Sequence, residues 1–466
     1  MKRPATADWI PISMALVALG LLTFWLFSSP EAALTRRVPG ADQPSIGGAN
    51  GLVNPLLAGK LLQADGRPAE LPGVWPRFRG PHSDGISPEG LSLTKDWTTA
   101  RPRQLWAIDV GEGYAGPAIW HGRVYLMDYD RQHQQNALRC LSLADGREIW
   151  RYAYPGAIKR NHGMSRTVPA VTPEYVVAMD PKCRVLCVQA ESGQFRWGID
   201  LVRQYGAQVP PWYTGQCPLI DRDRAILAPG GRQALLLALD CGTGKVLWQT
   251  PNAPGWKMTH SSVMPMEFAG HRMYVYCASG GVVGISAQDG AVLWQTGDWK
   301  ISIATVPSPT ILPGGRIFLA GGYNAGSLML QLKPEGERLV PQVLFRLKPE
   351  VFGATQHTPI FYQDYLYGIR PDGQFVCLDP SGRLIWSSGA SQRFGMGSFL
   401  LVAGAFYALN DDGRLSLLEA SPRGFHLEAQ AQILTGHESW APLALADGRL
   451  LARDSTRMVC LEVAAR

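Results

Sequence analysis

The chain has 466 residues, 18% of them charged, and a net charge of +6. Its Lys and Arg residues are scattered rather than run together, which excludes the concentrated basic face of a nucleic-acid-binding domain. Fifteen Trp, 51 Gly and 35 Pro point to an all-β protein rich in turns.

Lys2 and Arg3 precede an apolar stretch from Trp9 to Phe27, interrupted by Pro11 and Ser13. At about 19 residues it is long for a signal-peptide core and just long enough to span a bilayer. The sequence Ser28-Ser29-Pro30-Glu31-Ala32-Ala33 puts Pro30 or Glu31 at the −3 position and offers no small-x-small cleavage site. Residues 1–30 therefore read as an uncleaved signal-anchor, a transmembrane helix holding the rest of the chain outside the inner membrane, in the periplasm. A cleaved signal and secretion is the alternative. No Cys lies near this segment, so it is not an N-terminal lipoprotein. Residues 31–73 lack periodicity and read as a linker. Residues 74–102 form a pre-propeller segment opening on Val74-Trp75-Pro76-Arg77-Phe78-Arg79-Gly80-Pro81. Its many turn residues argue against a strand, and its aromatics are expected to pack on the surface of the domain beyond it.

From residue 103 a repeat sets in. Gly146 leads to Trp150, Gly193 to Trp197, Gly244 to Trp248, Gly290 to Trp294 and Gly382 to Trp386, each as G-x-x-x-W. The spacing of about 45 residues is that of one four-stranded propeller blade. Pro359 to Trp386 shows the unit most clearly, as four short β-rich runs separated by Gln363-Asp364, Pro371-Asp372-Gly373 and Pro380-Ser381-Gly382, which are hairpin turns. Blades then begin near Pro117, Pro169, Pro218, Val263, Pro309, Pro359, Phe399 and Pro442. The fifth keeps the aromatic slot with Phe345, and the seventh has lost it. The eighth supplies three strands, and Arg103–Asp109, with Trp106, is expected to supply its fourth. The predicted fold of residues 103–466 is an eight-bladed β-propeller of four-stranded blades, closed by its N-terminal strand so that no sheet edge is left open.

Cys140, Cys187, Cys377 and Cys460 occupy one position of the repeat, which Ala238 and Gly284 fill elsewhere. A slot that accepts Cys, Ala or Gly holds a small packing residue, so these thiols are expected to be reduced and buried. Cys183 and Cys187 lack the two further ligands a zinc site needs, and no metal site is expected.

Residues 238–248, Ala-Leu-Asp-Cys-Gly-Thr-Gly-Lys-Val-Leu-Trp, match the A-x-D-x-x-T-G-K-x-x-W repeat in full. Ala144-Asp145-Gly146, Glu191-Ser192-Gly193 and Gln288-Asp289-Gly290 match it in part. The chain resembles the pyrroloquinoline-quinone (PQQ)-like β-propeller repeat family. The resemblance implies that Trp106, Trp150, Trp197, Trp248, Trp294, Phe345 and Trp386 are docking residues, each closing a seam between neighbouring blades. It also implies one of two functions. Quinoprotein dehydrogenases hold PQQ and calcium on the axis beneath a vicinal Cys pair, and this chain has no adjacent cysteines. The non-catalytic branch includes the outer-membrane protein assembly propeller, and uncharacterised exported PQQ-like repeat proteins open with a motif like Trp75–Pro81. The non-catalytic branch fits better: no cofactor and no catalytic residues are expected, with quinoprotein oxidoreductase or a subunit of a membrane redox complex as the alternative.

His162, His260, His357 and His437 fall in loops leading into the innermost strands of blades 2, 4, 6 and 8, and Arg166, Gln216, Ser261, Glu438 and Trp440 fall in loops of the same class. In a propeller such loops converge on the axial channel. The four histidines with Arg166, Gln216 and Ser261 are the candidate ligand-binding set, for a small molecule, a metal or a partner peptide docked on that face. Near-neutral imidazoles there predict pH-dependent affinity between about pH 5 and 8. The alternative is that they only hydrogen-bond their neighbours.

Overall fold

Eight antiparallel sheets succeed one another along the chain, each a four-stranded meander with two of them extended by added strands. The computed structural model describes residues 9–27, 54–95, 97, 101–160, 162–336 and 338–465. The innermost strands begin at Ala118, Ala170, Leu219, Met264, Thr310, Ile360, Phe399 and Ala444, within two residues of the positions read from the repeat. The fold is an eight-bladed β-propeller. Its last blade is closed as expected: Arg103–Asp109 pairs with Arg457–Glu462, Trp106 standing opposite Cys460. The two ends of the domain thus form one sheet.

Within a blade, the aromatic of the outer strand stands opposite the small slot of the strand before it. Trp150 faces Cys140, Trp197 faces Cys187, Trp248 faces Ala238, Trp294 faces Gly284 and Trp386 faces Cys377. The register slips by one residue immediately after that slot in each of these blades, a β-bulge that bends the outer strand and sharpens its twist. All eight cysteines are free and buried, and burial raises every thiol pKa, to about 11 for Cys217 and about 12 for Cys277.

The rings reach the neighbouring blade. Trp106 Nε1 donates to Leu143 O at 3.0 Å, Trp150 to Glu191 O at 2.9 Å, Trp197 to Cys241 O at 2.7 Å and Trp386 to Ser421 O at 2.9 Å. Each of the first three lies against the turn glycine of that neighbour. A Cβ on Gly146 would stand 2.8 Å from Trp106 Cε3, and Gly146 has φ +75°, so ring contact and backbone both require glycine there. Trp294 behaves differently. The fifth blade has a longer outer hairpin, Gly326–Glu335 with Arg338–Leu347, and the Trp294 indole donates instead to Met273 Sδ within its own blade.

Two segments ahead of the propeller depart from the sequence reading. Residues 31–53 of the expected linker lie outside the described residues, but from Asn54 onward the chain is packed. Leu56 is fully buried, Tyr152 donates its hydroxyl to Leu56 O, and Lys60–Gln63 adds a strand to the outer edge of blade 1. The apolar Leu56 and Leu61 are what seat it.

The second departure is larger. Val74–Trp75 is a strand, paired with the innermost strand of blade 1. Pro76 O accepts from Val171 of blade 2, and Arg77 donates to Ile220 O of blade 3. Arg79 donates to Thr358 O and Pro359 O of blade 6, and Ile86–Ser87 pairs with the innermost strand of blade 7. Bonded to innermost strands on opposite sides of the ring, residues 74–87 cross the axial channel and plug it. The turn residues that argued against a strand make this crossing: Arg79, Gly80, Ser83 and Gly85 all have positive φ, reversing the chain between two short strands.

The helix Trp9–Phe27 forms over the apolar stretch. Among the described residues no helix is long and apolar enough to cross a membrane.

Deleting residues 103–109 strips the outer strand from blade 8 and leaves Arg457–Glu462 as a raw edge. The expected outcome is a concentration-dependent aggregate in size-exclusion chromatography and loss of a single cooperative melt.

Candidate functional site at the channel mouth

In blades 2 to 5 the backbone at the threshold of the innermost strand donates to a side chain of the next blade, and blades 7 and 8 are joined through Ser398. Val168 N–H donates to Cys217 Sγ at 3.2 Å, Cys217 N–H to Ser262 Oγ at 3.0 Å, Ser262 N–H to Ser308 Oγ at 2.9 Å and Ser308 N–H to Thr358 Oγ1 at 2.9 Å. Ser398 Oγ donates to Ala441 O and accepts from Leu443 N–H. These residues form a hydrogen-bonded girdle from blade to blade. Sequence reasoning missed it, although a signal was present: Cys217, Ser308 and Thr358 each directly precede a blade-opening proline.

Inside the girdle lies a cavity of about 360 Å³. Its floor is the plug, through Trp75, Phe78, Arg79 and Gly85. Its walls carry Tyr114, Trp212, Tyr323 and Trp440 with Arg166, His162, His260 and His357. Tyr114 stacks on Trp440 at 5.1 Å between centroids and donates to the Glu438 carboxylate. Burial, reinforced by that bond, raises the Tyr114 pKa to about 12.

The candidate residues divide. His162, Arg166, His260 and His357 line the cavity. Arg166 lies over the Tyr114 ring at 4.9 Å, donates Nε to Trp212 O, and is lowered by burial to about 10. Gln216 does not line it. Its amide is spent on Ala228 N, Ala228 O and Tyr276 OH, tying blade 3 to blade 4. Ser261 is fully buried behind the wall, and its neighbour Ser262 reaches the cavity instead. His437 is exposed outside the lining, its carbonyl taken by Ser455 N–H, and Trp440 stands in its place.

The predicted imidazole titration also needs correction at two positions. His260 and His357 are only 8% and 6% exposed. Burial lowers their pKa values to about 3 and about 4, with Arg166 adding repulsion at His260. Both rings are neutral from pH 5 to 8, so neither supplies a switch in that range.

A calcium–PQQ centre needs several oxygen ligands on the axis. The cavity lining carries no Asp or Glu, and among the described residues no three His, Cys, Asp or Glu side chains are grouped to hold a metal ion. The residues do not fit the calcium set of the dehydrogenase branch.

A family profile described as Outer membrane protein assembly factor BamB matches residues 95–209 and 134–387, more than half of the chain, and the chain belongs to this family of PQQ-like propellers. The outer membrane protein assembly factor BamB of Yersinia pestis is 22% identical over 298 residues, 62% of this chain and 71% of that protein. The crystal structure of BamB from Moraxella catarrhalis superposes with a TM-score of 0.54 at 13% identity, covering 78% of this chain and 98% of that one. The computationally designed Ika8 protein superposes with a TM-score of 0.52 at 11% identity, over 78% and 100% of the two chains. These two structural likenesses carry the fold alone.

The girdle and the buried imidazoles each give a measurable outcome. Ser308→Ala leaves Ser262 N–H buried without an acceptor and is expected to cost about 1–3 kcal/mol, read as a lower urea midpoint. A buried His whose folded pKa lies below its unfolded value of about 6.5 contributes stability that is complete above that value and lost as pH falls through the folded pKa. Lowering pH from 7 to 5 is therefore expected to cost about 2 kcal/mol for each of His260 and His357. His357→Gln is expected to shrink that pH difference by its share, measured by urea unfolding at both pH values.

Proposed function

We propose that this chain, as a member of the BamB-like propeller family, is a non-catalytic scaffold of the cell envelope that docks a protein partner on a propeller face. The observation that carries this reading is the family match, which runs from the closing strand through blade 6. Its relatives are outer membrane protein assembly factors by name. The finer part of the proposal is location. The apolar sequence of Trp9–Phe27, preceded by Lys2 and Arg3, supports export and tethering to the inner membrane, with the propeller in the periplasm. Cleavage and release is the alternative.

The rival reading is an oxidoreductase using PQQ, alone or within a membrane redox complex. A cavity lining without Asp or Glu weighs against it, together with the absence of adjacent cysteines in the sequence.

The full chain, incubated with PQQ and calcium, is expected to reduce no redox dye on ethanol or glucose above the protein-free rate. Cross-linking in cells, with subsequent purification through the propeller, is expected to recover outer-membrane proteins or their assembly machinery. Stoichiometric PQQ uptake with dye reduction on a simple alcohol would overturn the scaffold reading in favour of the enzyme.

A further inference from the structure

The channel-mouth cavity carries chemistry that docking a folded partner leaves unused. The plug closes it below, so it is a cup with one opening, and about 360 Å³ lies within the range of small-molecule sites, about 300–1,000 Å³. We propose that this cup binds a neutral hydroxylated small molecule of the saccharide class, held between aromatic rings and two imidazole acceptors. The proposal stands apart from the scaffold reading, because a folded domain is too large to enter the cup.

The acceptors are identified by the tautomers. Gly397 O stands 2.8 Å from His357 Nε2, and a carbonyl only accepts, so Nε2 carries the proton. In a neutral ring Nδ1 is then a lone-pair acceptor, and it is buried with no partner. His260 repeats the pattern with the nitrogens exchanged. One of its nitrogens is bonded to the Pro211 backbone while Nε2 is buried with no partner, which makes Nε2 the acceptor. Both side chains line the cup. A buried acceptor left unmatched costs about 1–3 kcal/mol, and a ligand O–H or N–H would relieve it.

The rest of the wall selects among donors. Phe78, Trp212, Tyr323 and Trp440 line the cup and keep exposed ring surface for C–H groups, as a pyranose presents on its flat face. With no carboxylate in the lining, an ammonium ligand has no counter-charge. The Arg166 guanidinium is engaged by the Tyr114 ring and Trp212 O and forms part of the wall. Three lining residues, His162, Trp212 and Tyr323, are held at φ +57°, +61° and +54°. A left-handed backbone costs a bulky L-residue roughly 1–2 kcal/mol, and strain of this kind gathers at binding sites.

The test titrates the full chain with glucose, galactose, N-acetylglucosamine and their β-linked disaccharides, monitored by tryptophan fluorescence and isothermal heat, with benzoate as an anionic aromatic comparison. Saturable one-site binding of at least one sugar is expected. Trp440→Ala, at the half-exposed rim, and His357→Leu should each weaken it about tenfold or more, while Leu384→Ala on the outer rim leaves it unchanged. Should His357→Leu fail to fold, Trp440→Ala decides. The proposal is overturned if no sugar saturates, if benzoate binds and the sugars do not, or if Trp440→Ala binds as the parent does. Partner capture in cells is a separate readout, so either idea can fail alone.

Discussion

A backbone N–H at the threshold of an inner strand has no ladder partner within its own blade, and the structure of the channel mouth depends on where that donor goes. In this chain it goes sideways. A short hydroxyl or thiol on the next blade receives it, from Val168 to Cys217, Cys217 to Ser262, Ser262 to Ser308 and Ser308 to Thr358. The residue after it is proline in four of these five positions, Pro169, Pro218, Pro309 and Pro359. Proline has no N–H to satisfy and tolerates the first position of a strand. One residue pair therefore ends the loop, starts the strand and links two blades. An unpaired donor at this depth costs more than a made hydrogen bond contributes, so each of these bonds ties its blade to the next at the rim of the cup.

Further out, the seam is apolar and steric. The indoles of Trp106, Trp150 and Trp197 lie on turn glycines of the neighbouring blades and donate to turn carbonyls. The bulge beside each small slot bends the strand that carries the ring. Inner girdle and outer seam constrain each wedge at both ends. At the fifth blade one of these constraints is altered, and the ring beside it rebonds. The outer hairpin of that blade is longer, the Trp294 indole finds no turn carbonyl, and it bonds to Met273 within its own blade.

The sequence carried the fold because the fold is periodic. Blade starts, the closing strand and the small slot recur at fixed spacing, and a pattern repeated several times survives the loss of one member, such as the aromatic of blade 7. The site is not periodic, and it was only half legible. Loop membership predicted that His162, Arg166, His260 and His357 would reach the mouth, but it could not tell which side of a loop faces inward. Gln216 and Ser261 are turned into the blade, and Trp212, Tyr323 and Trp440 take the exposed wall. Composition also misread the plug. Arg79, Gly80, Ser83 and Gly85 look like loop residues because they reverse the chain, and nothing local says that the reversal happens inside a channel.

The plug changes what the axial position can do. An eight-bladed ring without it would leave a passage lined by inner strands. With residues 74–87 in place, Arg79 fills the space with a guanidinium that donates to Ser83 O, Asp84 O, Thr358 O and Pro359 O. Burial lowers this group to about 10, so it remains a cation at neutral pH, stabilised by four carbonyl dipoles. A divalent metal placed above it would meet a fixed positive charge and, in the lining, no carboxylate to offset it. The floor that closes the cup thus also disfavours a cation there, and it does so through a segment that precedes the propeller in sequence.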